Sequence, residues 1–433
     1  MFKRLICTVL VLVVVGMMAA TLIRPASAAD KFFLKDGDDP IVFLGDSITE
    51  QRMYTAFIEA YVLTRFPTWK LRFRNIGWGG DTAWLAQRQG FENGLKRDIL
   101  ALKPAAITID FGMNDARGGD GTYPSYIEHS TKLVQSLKAI GTRVALVTPS
   151  PEEHYQPNQP GGSAYNNMLW KYSLALKDIA KKEDVVWVDQ YTPFIDVIRT
   201  GRGAGVLSNV EGTGARLIPD GVHPDWAGHF VMAVAILEGL HAPSAVSSAS
   251  IDAKSVHVRG SRGCQISLLK KDPGGVISFK RVDNALPMPI NNDARMVLDV
   301  PGFAPLRELS EYNLRVVRLD APAYDLAVDG QKTAHFTQAQ LEQGVNLSLV
   351  AGPITDQSLK VLQMVLDKNN AYYYRWRNVQ LGIDPKWQGS GADFEAKRDA
   401  ELKRADEQIA AKEAAINRER LPMPHEFTLT PAL

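Results

Sequence analysis

The chain has 433 residues, of which 45% are hydrophobic and 22% charged, an ordinary globular composition with enough length for two or three domains. Its formal net charge is only +1 at pH 7, so it carries no excess of the basic residues that draw a protein to nucleic acid. We therefore expect a small or neutral substrate and no nucleic-acid partner.

Residues 1–28 have the three parts of a secretory signal peptide. Lys3 and Arg4 precede an apolar run over residues 5–23, and the small residues Ala-Ser-Ala follow at 26–28. This order predicts cleavage after Ala28 and export to the periplasm or the extracellular space. The alternative is an uncleaved membrane anchor, because the apolar run approaches the length of a membrane span. No later stretch is as long and apolar, so we expect no stable membrane insertion after cleavage.

The sequence contains two cysteines, and Cys7 lies within the predicted signal peptide. Cys264 is then alone in the mature chain, so the fold must be stable without an intramolecular disulfide. The residues around Cys264 predict a half-buried strand position rather than a reactive thiol. The eight histidines are scattered and show none of the short spacings of zinc sites, so we predict no metal and no cofactor.

From residue 35 to residue 242 the sequence alternates short apolar runs with amphipathic stretches. The runs with the length of buried strands lie at residues 41–44, 71–76, 105–111, 143–148 and 185–188. Apolar strands separated by helical periodicity are typical of a parallel sheet covered on both faces. We therefore predict an α/β domain with a doubly wound, five-stranded parallel sheet. Such sheets place their binding sites beyond the carboxyl ends of the strands.

The rest of the chain changes character twice. Over residues 243–350 the helical periodicity fades and turn residues interrupt short apolar runs, which predicts a β-rich accessory module with a hairpin at the Asp-Gly pair 329–330. Residues 351–433 form a predicted helical C-terminal extension, with helices over about 355–378 and 394–420. The second helix is charge-rich with a thin apolar stripe. We expect it to be solvated or loosely docked, or alternatively to offer a coiled-coil partner surface.

Residues with chemistry to offer follow the predicted strands. Ser47 comes directly after the first strand, Gly80 lies in the loop after the second, and Asn114 follows the third. Ester cleavage needs a nucleophile, a base and hydrogen-bond donors for the oxyanion. A serine hydroxyl can be the nucleophile, and a backbone N–H and a side-chain amide can be the donors. Asp220 and His223 precede a predicted helix at 225–240. An Asp three residues before a His can hold the imidazole Nδ1–H and leave Nε2 free as the base.

Four segments resemble the sequence blocks of the SGNH/GDSL hydrolases, a family of esterases and lipases. They read Gly-Asp-Ser-Ile-Thr at 45–49, Asn-Ile-Gly-Trp-Gly-Gly-Asp-Thr at 75–82, Gly-Met-Asn-Asp at 112–115 and Asp-Gly-Val-His-Pro at 220–224. Ile48 stands where the name-giving leucine of the family lies. The resemblance covers about residues 40–242, and the remainder is similar to the C-terminal extension of some exported bacterial members.

The resemblance implies a flavodoxin-like sheet and a role for each matching residue. Ser47 would be the nucleophile, with His223 and Asp220 as its acid–base pair. The N–H groups of Ser47 and Gly80 and the side-chain amide of Asn114 would bind the oxyanion. Each of these residues alone has a second interpretation as a turn or helix-cap residue, but their order and their strand-end positions together favour catalysis.

Other residues near these positions have their own interpretations. Asp46 and Asp81 are expected to cap loops, and His229 is expected to be a packed or surface side chain. Trp78 and Trp226 flank the predicted catalytic residues and are candidates for substrate binding as a platform under a sugar ring. Hydrophobic packing beneath the loops is the alternative for both rings.

These features predict a serine esterase that forms an acyl-enzyme, with short-chain acyl or acetyl esters of carbohydrate as substrates. The loops at 77–81 and 112–117 are polar and glycine-rich and offer little surface for a long acyl chain. A lipase, lysophospholipase or thioesterase is the first alternative. A non-catalytic carbohydrate-binding module and an O-acyltransferase are the others. The β-rich module is either an accessory sugar-binding surface or a buttress for the catalytic domain.

Overall fold

The computed structural model describes residues 31–153, 163–210 and 213–432. The predicted signal peptide and Cys7 lie outside these residues. The described chain forms an α/β domain, a β-rich module with two sheets, and C-terminal helices, as the sequence predicted. Within the described ranges, no helix has both the length and the apolar character needed to cross a bilayer.

The sheet of the α/β domain has five parallel strands. They are β1 (Ile41–Gly45), β2 (Phe73–Asn75), β3 (Ala106–Asp110), β4 (Arg143–Val147) and β5 (Val186–Val188). Their order is β2-β1-β3-β4-β5, the doubly wound flavodoxin-like arrangement. Every residue of β1 and of β3 is buried, because helices cover both faces of the sheet. The predicted strands and sheet type are confirmed.

The register between the strands brings three loops to one edge. β1 pairs in parallel with β3, so that Gly45 lies opposite Asp110. It also pairs in parallel with β2, so that Phe43 lies opposite Asn75. The loops that follow these three strands therefore begin side by side at the carboxyl edge of the sheet.

Seven helices of the described chain belong to this domain, joined by short 3₁₀ and π turns. They are α1 (Ser47–Glu50), α2 (Met53–Arg65), α3 (Phe91–Gly94), α4 (Tyr123–Ala139), α5 (Ala164–Glu183), α6 (Tyr191–Gly203) and α7 (Trp226–Gly239). Residues 227–237 of α7 are all buried, and α7 packs against α2, α6 and β5. A helix that is apolar around its whole circumference is stable only when it is enclosed in this way.

The β-rich module surrounds a second hydrophobic core. Its strands are β6 (Ala245–Asp252), β7 (His257–Arg262), β8 (Cys264–Lys271), β9 (Ile277–Asp283), β10 (Glu311–Val317), β11 (Ala323–Val328), β12 (Gln331–Thr337), β13 (Val345–Asn346) and β14 (Pro424–Ala432), and its short helices are α8 (Pro305–Leu309) and α9 (Gln338–Gln343). The sheet orders are β13-β10-β6-β7 and β12-β11-β14-β9-β8, and β11 and β12 form the predicted hairpin. Cys264 is buried at 7% exposure, deeper than the half-buried position predicted.

The C-terminal segment is helical as predicted but ends in a strand. α10 (Pro353–Tyr373) continues as a π-helical turn over Tyr374–Gln380, and α11 (Ala392–Glu419) follows. β14 then lies between β9 and β11, inside a sheet of the β-rich module. The prediction of a helical extension over 351–433 missed this strand. Its Phe427 and Leu429 alternate with less buried residues and fill the core of the module.

Both C-terminal helices pack against the α/β domain or against each other. Val361 and Val365 of α10 belong to the main hydrophobic core. Ile409 and Ile416 of α11, from the predicted apolar stripe, are 3% and 2% exposed because α11 packs along α10. The stripe is therefore covered within the chain, and α11 is docked rather than solvated.

Candidate active site

Ser47 is the first residue of α1, and only Asp46 separates it from the end of β1. The Asp46 carboxylate caps this helix by accepting the Ile48 N–H at 3.0 Å, as expected for a capping aspartate. The step from strand to helix is tight at Gly45, where an added Cβ would lie 2.1 Å from the Thr49 hydroxyl oxygen. This geometry presents the Ser47 hydroxyl at the carboxyl edge of the sheet.

His223 reaches Ser47 from the loop before α7. Its Nε2 lies 2.9 Å from Ser47 Oγ, and its Nδ1 lies 2.7 Å from Asp220 Oδ2. The other carboxylate oxygen, Asp220 Oδ1, accepts the backbone N–H groups of Val222 at 2.9 Å and His223 at 2.6 Å. The structure thus brings together the serine, histidine and aspartate that the sequence predicted as one site.

The charge on Asp220 determines which imidazole nitrogen carries the proton. Partial burial acts to raise the pKa of Asp220, but hydrogen bonds from the His223 N–H, the imidazole and the Val222 N–H bring this pKa below its ordinary value. The ionised carboxylate accepts a hydrogen bond from Nδ1–H. Nε2 is then unprotonated and faces the Ser47 hydroxyl as an acceptor.

Glu153 holds the loop before α7 in place. Its side chain is buried and accepts hydrogen bonds from the Ile218 N–H at 2.8 Å and the Arg202 guanidinium at 3.0 Å. The Glu153 N–H donates to the Gly221 carbonyl at 3.0 Å. Burial raises the pKa of Glu153 in spite of these donors. Glu153 is not among the residues predicted from the sequence, because its partners are distant along the chain and no motif marks it.

Gly80 lies in a turn that borders the Ser47 hydroxyl. Its φ of +74° is in the left-handed region that favours glycine, and the Asp81 N–H closes the turn on the Trp78 carbonyl at 3.0 Å. A Cβ added at the neighbouring Gly79 would lie 3.9 Å from Ser47 Cβ. The exposed Gly80 N–H has no acceptor among the described residues, so it is free to bind a ligand.

The Asn114 amide lies between the loops that follow β1 and β2. Its Nδ2 donates to the Asp81 carbonyl at 2.9 Å and lies 3.4 Å from Asp46 Oδ2. Asn114 precedes the 3₁₀ helix Asp115–Gly121, but its side chain makes no capping hydrogen bond there. The structure therefore places this amide at the junction of the three strand-end loops rather than at a helix cap.

A group of carboxyls is buried beneath these loops. Burial raises the pKa of Asp46 well above its ordinary value, and it raises the pKa of Asp110 and of Asp115 to about 7. The charged form of a buried carboxyl loses its hydration, so the proton is held more tightly. The buried Asp81 carboxylate forms an ion pair with Arg88 at 2.6 Å. This pair holds the loop after β2, as expected for Asp81.

His229 is packed inside the protein, one of the two positions expected for it. It is fully buried in α7, its ring stacks on Tyr54, and its Nε2 lies 2.7 Å from the Gln51 side-chain oxygen. Burial lowers the pKa of His229 to about 3, so the imidazole stays neutral at physiological pH.

Trp78 and Trp226 both make packing contacts. The Arg377 guanidinium carbon lies 3.7 Å from the centroid of the Trp78 ring, and the Trp376 ring approaches Trp78 edge-on with centroids 6.0 Å apart. Trp226 packs edge-on against Phe57 with centroids 5.7 Å apart. Both rings therefore pack against other side chains, as the alternative interpretation predicted. A role for either ring as a platform under a sugar stays a prediction.

Residues 43–230 match the sequence model of the GDSL-like Lipase/Acylhydrolase family. This region is a GDSL-like lipase/acylhydrolase domain. The protein is accordingly a hydrolase that acts on ester bonds. The matched region includes all residues of the candidate site, which are Ser47, Gly80, Asn114, Asp220 and His223.

Two known proteins are similar to this chain. An acetylxylan esterase of Geobacillus stearothermophilus is 24% identical over 223 residues, which is 46% of this chain and 92% of that protein. The structure of a gut microbial diltiazem-metabolizing enzyme matches with a TM-score of 0.75 at 22% identity, covering 93% of this chain and 100% of that one. The second similarity concerns the fold, and it extends beyond the acylhydrolase domain into the β-rich module and the C-terminal helices.

Proposed function

We propose that this acylhydrolase is a serine esterase that removes short acyl groups, acetyl in particular, from carbohydrate. The observation that carries the proposal is the continuous hydrogen-bond chain from Ser47 Oγ to His223 Nε2 at 2.9 Å and from His223 Nδ1 to Asp220 at 2.7 Å. A nucleophile beside a base, with the base oriented by a carboxylate, is the arrangement that acyl transfer requires.

The first half of the reaction forms an acyl-enzyme. His223 Nε2 takes the Ser47 proton while Ser47 Oγ attacks the acyl carbonyl carbon. The carbonyl oxygen becomes an oxyanion, which the N–H groups of Ser47 and Gly80 and the Asn114 amide stabilise. The tetrahedral intermediate collapses as the bond from the acyl carbon to the sugar oxygen breaks and the imidazolium gives its proton to that oxygen, which leaves as a hydroxyl. Asp220 stabilises the imidazolium and keeps its ring oriented.

The second half repeats these steps with water. His223 takes a proton from a water molecule, whose oxygen attacks the acyl carbon on Ser47. The same donors hold the second oxyanion. Collapse returns the proton from His223 to Ser47 Oγ and releases the carboxylic acid, so the enzyme ends as it began.

The surroundings of Ser47 support a short acyl group. The bordering loops at 77–81 and 112–117 are polar and glycine-rich. Trp78 is the largest apolar side chain in them, and Arg377 covers its ring at 3.7 Å. Each methylene of an acyl chain contributes only about 0.8 kcal/mol when buried, so a strong preference for long chains needs a larger apolar surface.

The carbohydrate part of the proposal is supported by the relative that is 24% identical over 223 residues, an acetylxylan esterase. The signal-peptide features of residues 1–28 support export, which would bring the enzyme to polysaccharide outside the cytoplasm.

A substrate series tests the proposal. The kcat/KM on p-nitrophenyl acetate, butyrate, octanoate and palmitate is measured below the micellar limits, together with acetate release from acetylated xylo-oligosaccharides. We expect the highest kcat/KM on the acetate and acetate release from the oligosaccharides. A maximum at octanoate or beyond would overturn the carbohydrate proposal in favour of a lipase. Transfer of acetyl to an added sugar in preference to water would identify an acyltransferase instead.

A further inference from the structure

The C-terminal segment contacts the glycine loop (residues 77–81) through one carboxylate. Glu50, the last residue of α1, accepts the Gly79 N–H at Oε2, 2.8 Å away. Its other oxygen, Oε1, accepts the Tyr373 hydroxyl and the Arg377 guanidinium, each at 3.1 Å. Tyr373 ends α10, and Arg377 lies in the π turn that follows. Glu50 therefore connects the C-terminal segment to the loop that supplies a proposed oxyanion donor.

Arg377 also contacts the glycine loop directly. Its guanidinium lies on the Trp78 ring, 3.7 Å from the centroid, and the Trp78 N–H donates to the Gly45 carbonyl at 3.0 Å. Arg377 is 7% exposed, and its ion pair is with Glu50 at 3.1 Å. Arg377 is the more buried partner, with 8% side-chain exposure against 21% for Glu50, so removing Glu50 would leave the guanidinium charge uncompensated.

The helix that carries Tyr373 is fixed to the α/β domain just before this contact. Lys368 Nζ lies 2.7 Å from a carboxylate oxygen of Glu59 in α2, and both side chains are almost fully buried. The same Nζ donates to the Phe73 carbonyl in β2 at 3.3 Å, and Asn369 donates to Glu59 at 3.0 Å. These bonds attach α10 to the strand that leads into the glycine loop, which gives the loop a rigid support.

We propose that Arg377 and Tyr373 are positioning residues for the esterase, which act through Glu50 to hold the glycine loop beside Ser47. The inference rests on the proposed role of the Gly80 N–H as an oxyanion donor. The consecutive glycines Gly79 and Gly80 have wide backbone freedom, so the direction of this N–H depends on what the loop is bonded to. The oxyanion forms only during the reaction, and losing the support therefore lowers kcat more than it raises KM.

The test compares kcat and KM for p-nitrophenyl acetate in Arg377→Ala, Arg377→Lys, Tyr373→Phe and Glu50→Ala, and in the double variant Glu50→Ala/Arg377→Ala. We expect Arg377→Ala to lower kcat by about 10- to 100-fold with a much smaller change in KM, the size of effect that a misplaced group causes. Arg377→Lys restores part of the rate, because it keeps a charged donor for Glu50. The double variant is slowed by much less than the product of the two single factors, because the arginine acts mainly through that carboxylate and its remaining contact is with the Trp78 ring.

Arg375→Ala is the matched control. Arg375 lies in the same π turn, but its guanidinium pairs with Asp406 of α11 at 2.8 Å, away from the glycine loop. This variant loses the same charge and should keep the wild-type kcat. Tyr373→Phe removes a single oxygen atom and keeps the test valid if Arg377→Ala does not fold. We expect it to lower kcat as well, by less than Arg377→Ala.

Three results would overturn the inference. They are a kcat unchanged in both Arg377→Ala and Tyr373→Phe, a loss of equal size in Arg375→Ala, and a double variant slowed by the product of the two single effects. Failure of the proposed function gives different results, which are a wild-type rate that survives Ser47→Ala or a kcat/KM that is highest at octanoate or beyond.

Discussion

Ser47 Oγ lies 2.9 Å from His223 Nε2, although 176 positions separate the two residues in sequence. Ser47 follows β1, and His223 lies in the loop before α7, which Glu153 holds near the end of β4. The contact therefore depends on two parts of the fold: β1 carries Ser47 to the edge of the sheet, and the hydrogen bonds of Glu153 hold the loop of His223 there.

Ser47→Ala should abolish hydrolysis of p-nitrophenyl acetate and labelling by a fluorophosphonate probe, because both reactions need the nucleophilic oxygen. The unfolding midpoint should stay near that of the wild type, since the change removes one oxygen from a half-buried side chain. Ser125→Ala is the matched control, because Ser125 Oγ also lies near a histidine, 3.1 Å from His129 Nδ1. Activity should persist in that variant. Labelling that survives in Ser47→Ala would place the nucleophile elsewhere.

Asn114→Ala should lower kcat on p-nitrophenyl acetate by about 10²–10³-fold and leave KM nearly unchanged, as expected for the loss of one oxyanion donor. Asn114 also bridges two loops, so Asn114→Asp serves as a second variant that keeps the shape and removes the donor. Both variants should lose a similar factor in kcat. A raised KM with an unchanged kcat would make Asn114 a substrate-binding residue instead.

Activity should fall as the pH is lowered, because a protonated imidazole cannot accept the Ser47 proton. Asp220 does not cause this fall, because its pKa is below the ordinary value and the carboxylate stays charged. Asp220→Asn should lower kcat, since the imidazolium formed during the reaction loses the carboxylate that stabilises it. An unchanged kcat in this variant would show that Asp220 is not coupled to the base.

The stability of the fold should depend on pH through Asp110. Burial raises the pKa of Asp110 to about 7, from an ordinary value of 3.8 in the unfolded chain. Between these values the folded state holds a proton that the unfolded state has lost. The free energy of unfolding therefore decreases as pH rises, by about 1.4 kcal/mol per pH unit for one proton.

Asp110→Asn removes this titration. In the wild type the Gln190 amide donates to Asp110 Oδ2 at 3.1 Å, and the asparagine keeps an oxygen that can accept the same hydrogen bond. Urea unfolding of the variant and the wild type at about pH 5 and about pH 8 measures the effect. The variant should gain stability relative to the wild type at the higher pH. If the free energy of unfolding differs between the variant and the wild type by the same amount at both pH values, the raised pKa of Asp110 is contradicted.

The sheet and the residues at its strand ends were predictable from local sequence. An apolar run that ends at Gly45 or Asp110 indicates a buried strand on its own, since a parallel sheet covered on both faces buries every position. Parallel strands all end at one edge, so Ser47 and Asn114 are expected to be neighbours before any contact is known. Three-residue spacing likewise brings Asp220 to the imidazole of His223.

The contacts that the C-terminal segment makes with the rest of the chain were not predictable from local sequence. β14 is separated from its partner β9 by both C-terminal helices, and β6 is made of small residues with weak strand propensity, so neither was foreseen. Arg377 meets Glu50 across 327 positions. Such a contact leaves no periodicity in the sequence, because it depends on how α10 packs on α2 and β2 rather than on the spacing of residues within one element. Local patterns are enough to place the nucleophile, base and donors, whereas the packing of distant elements decides what holds the glycine loop.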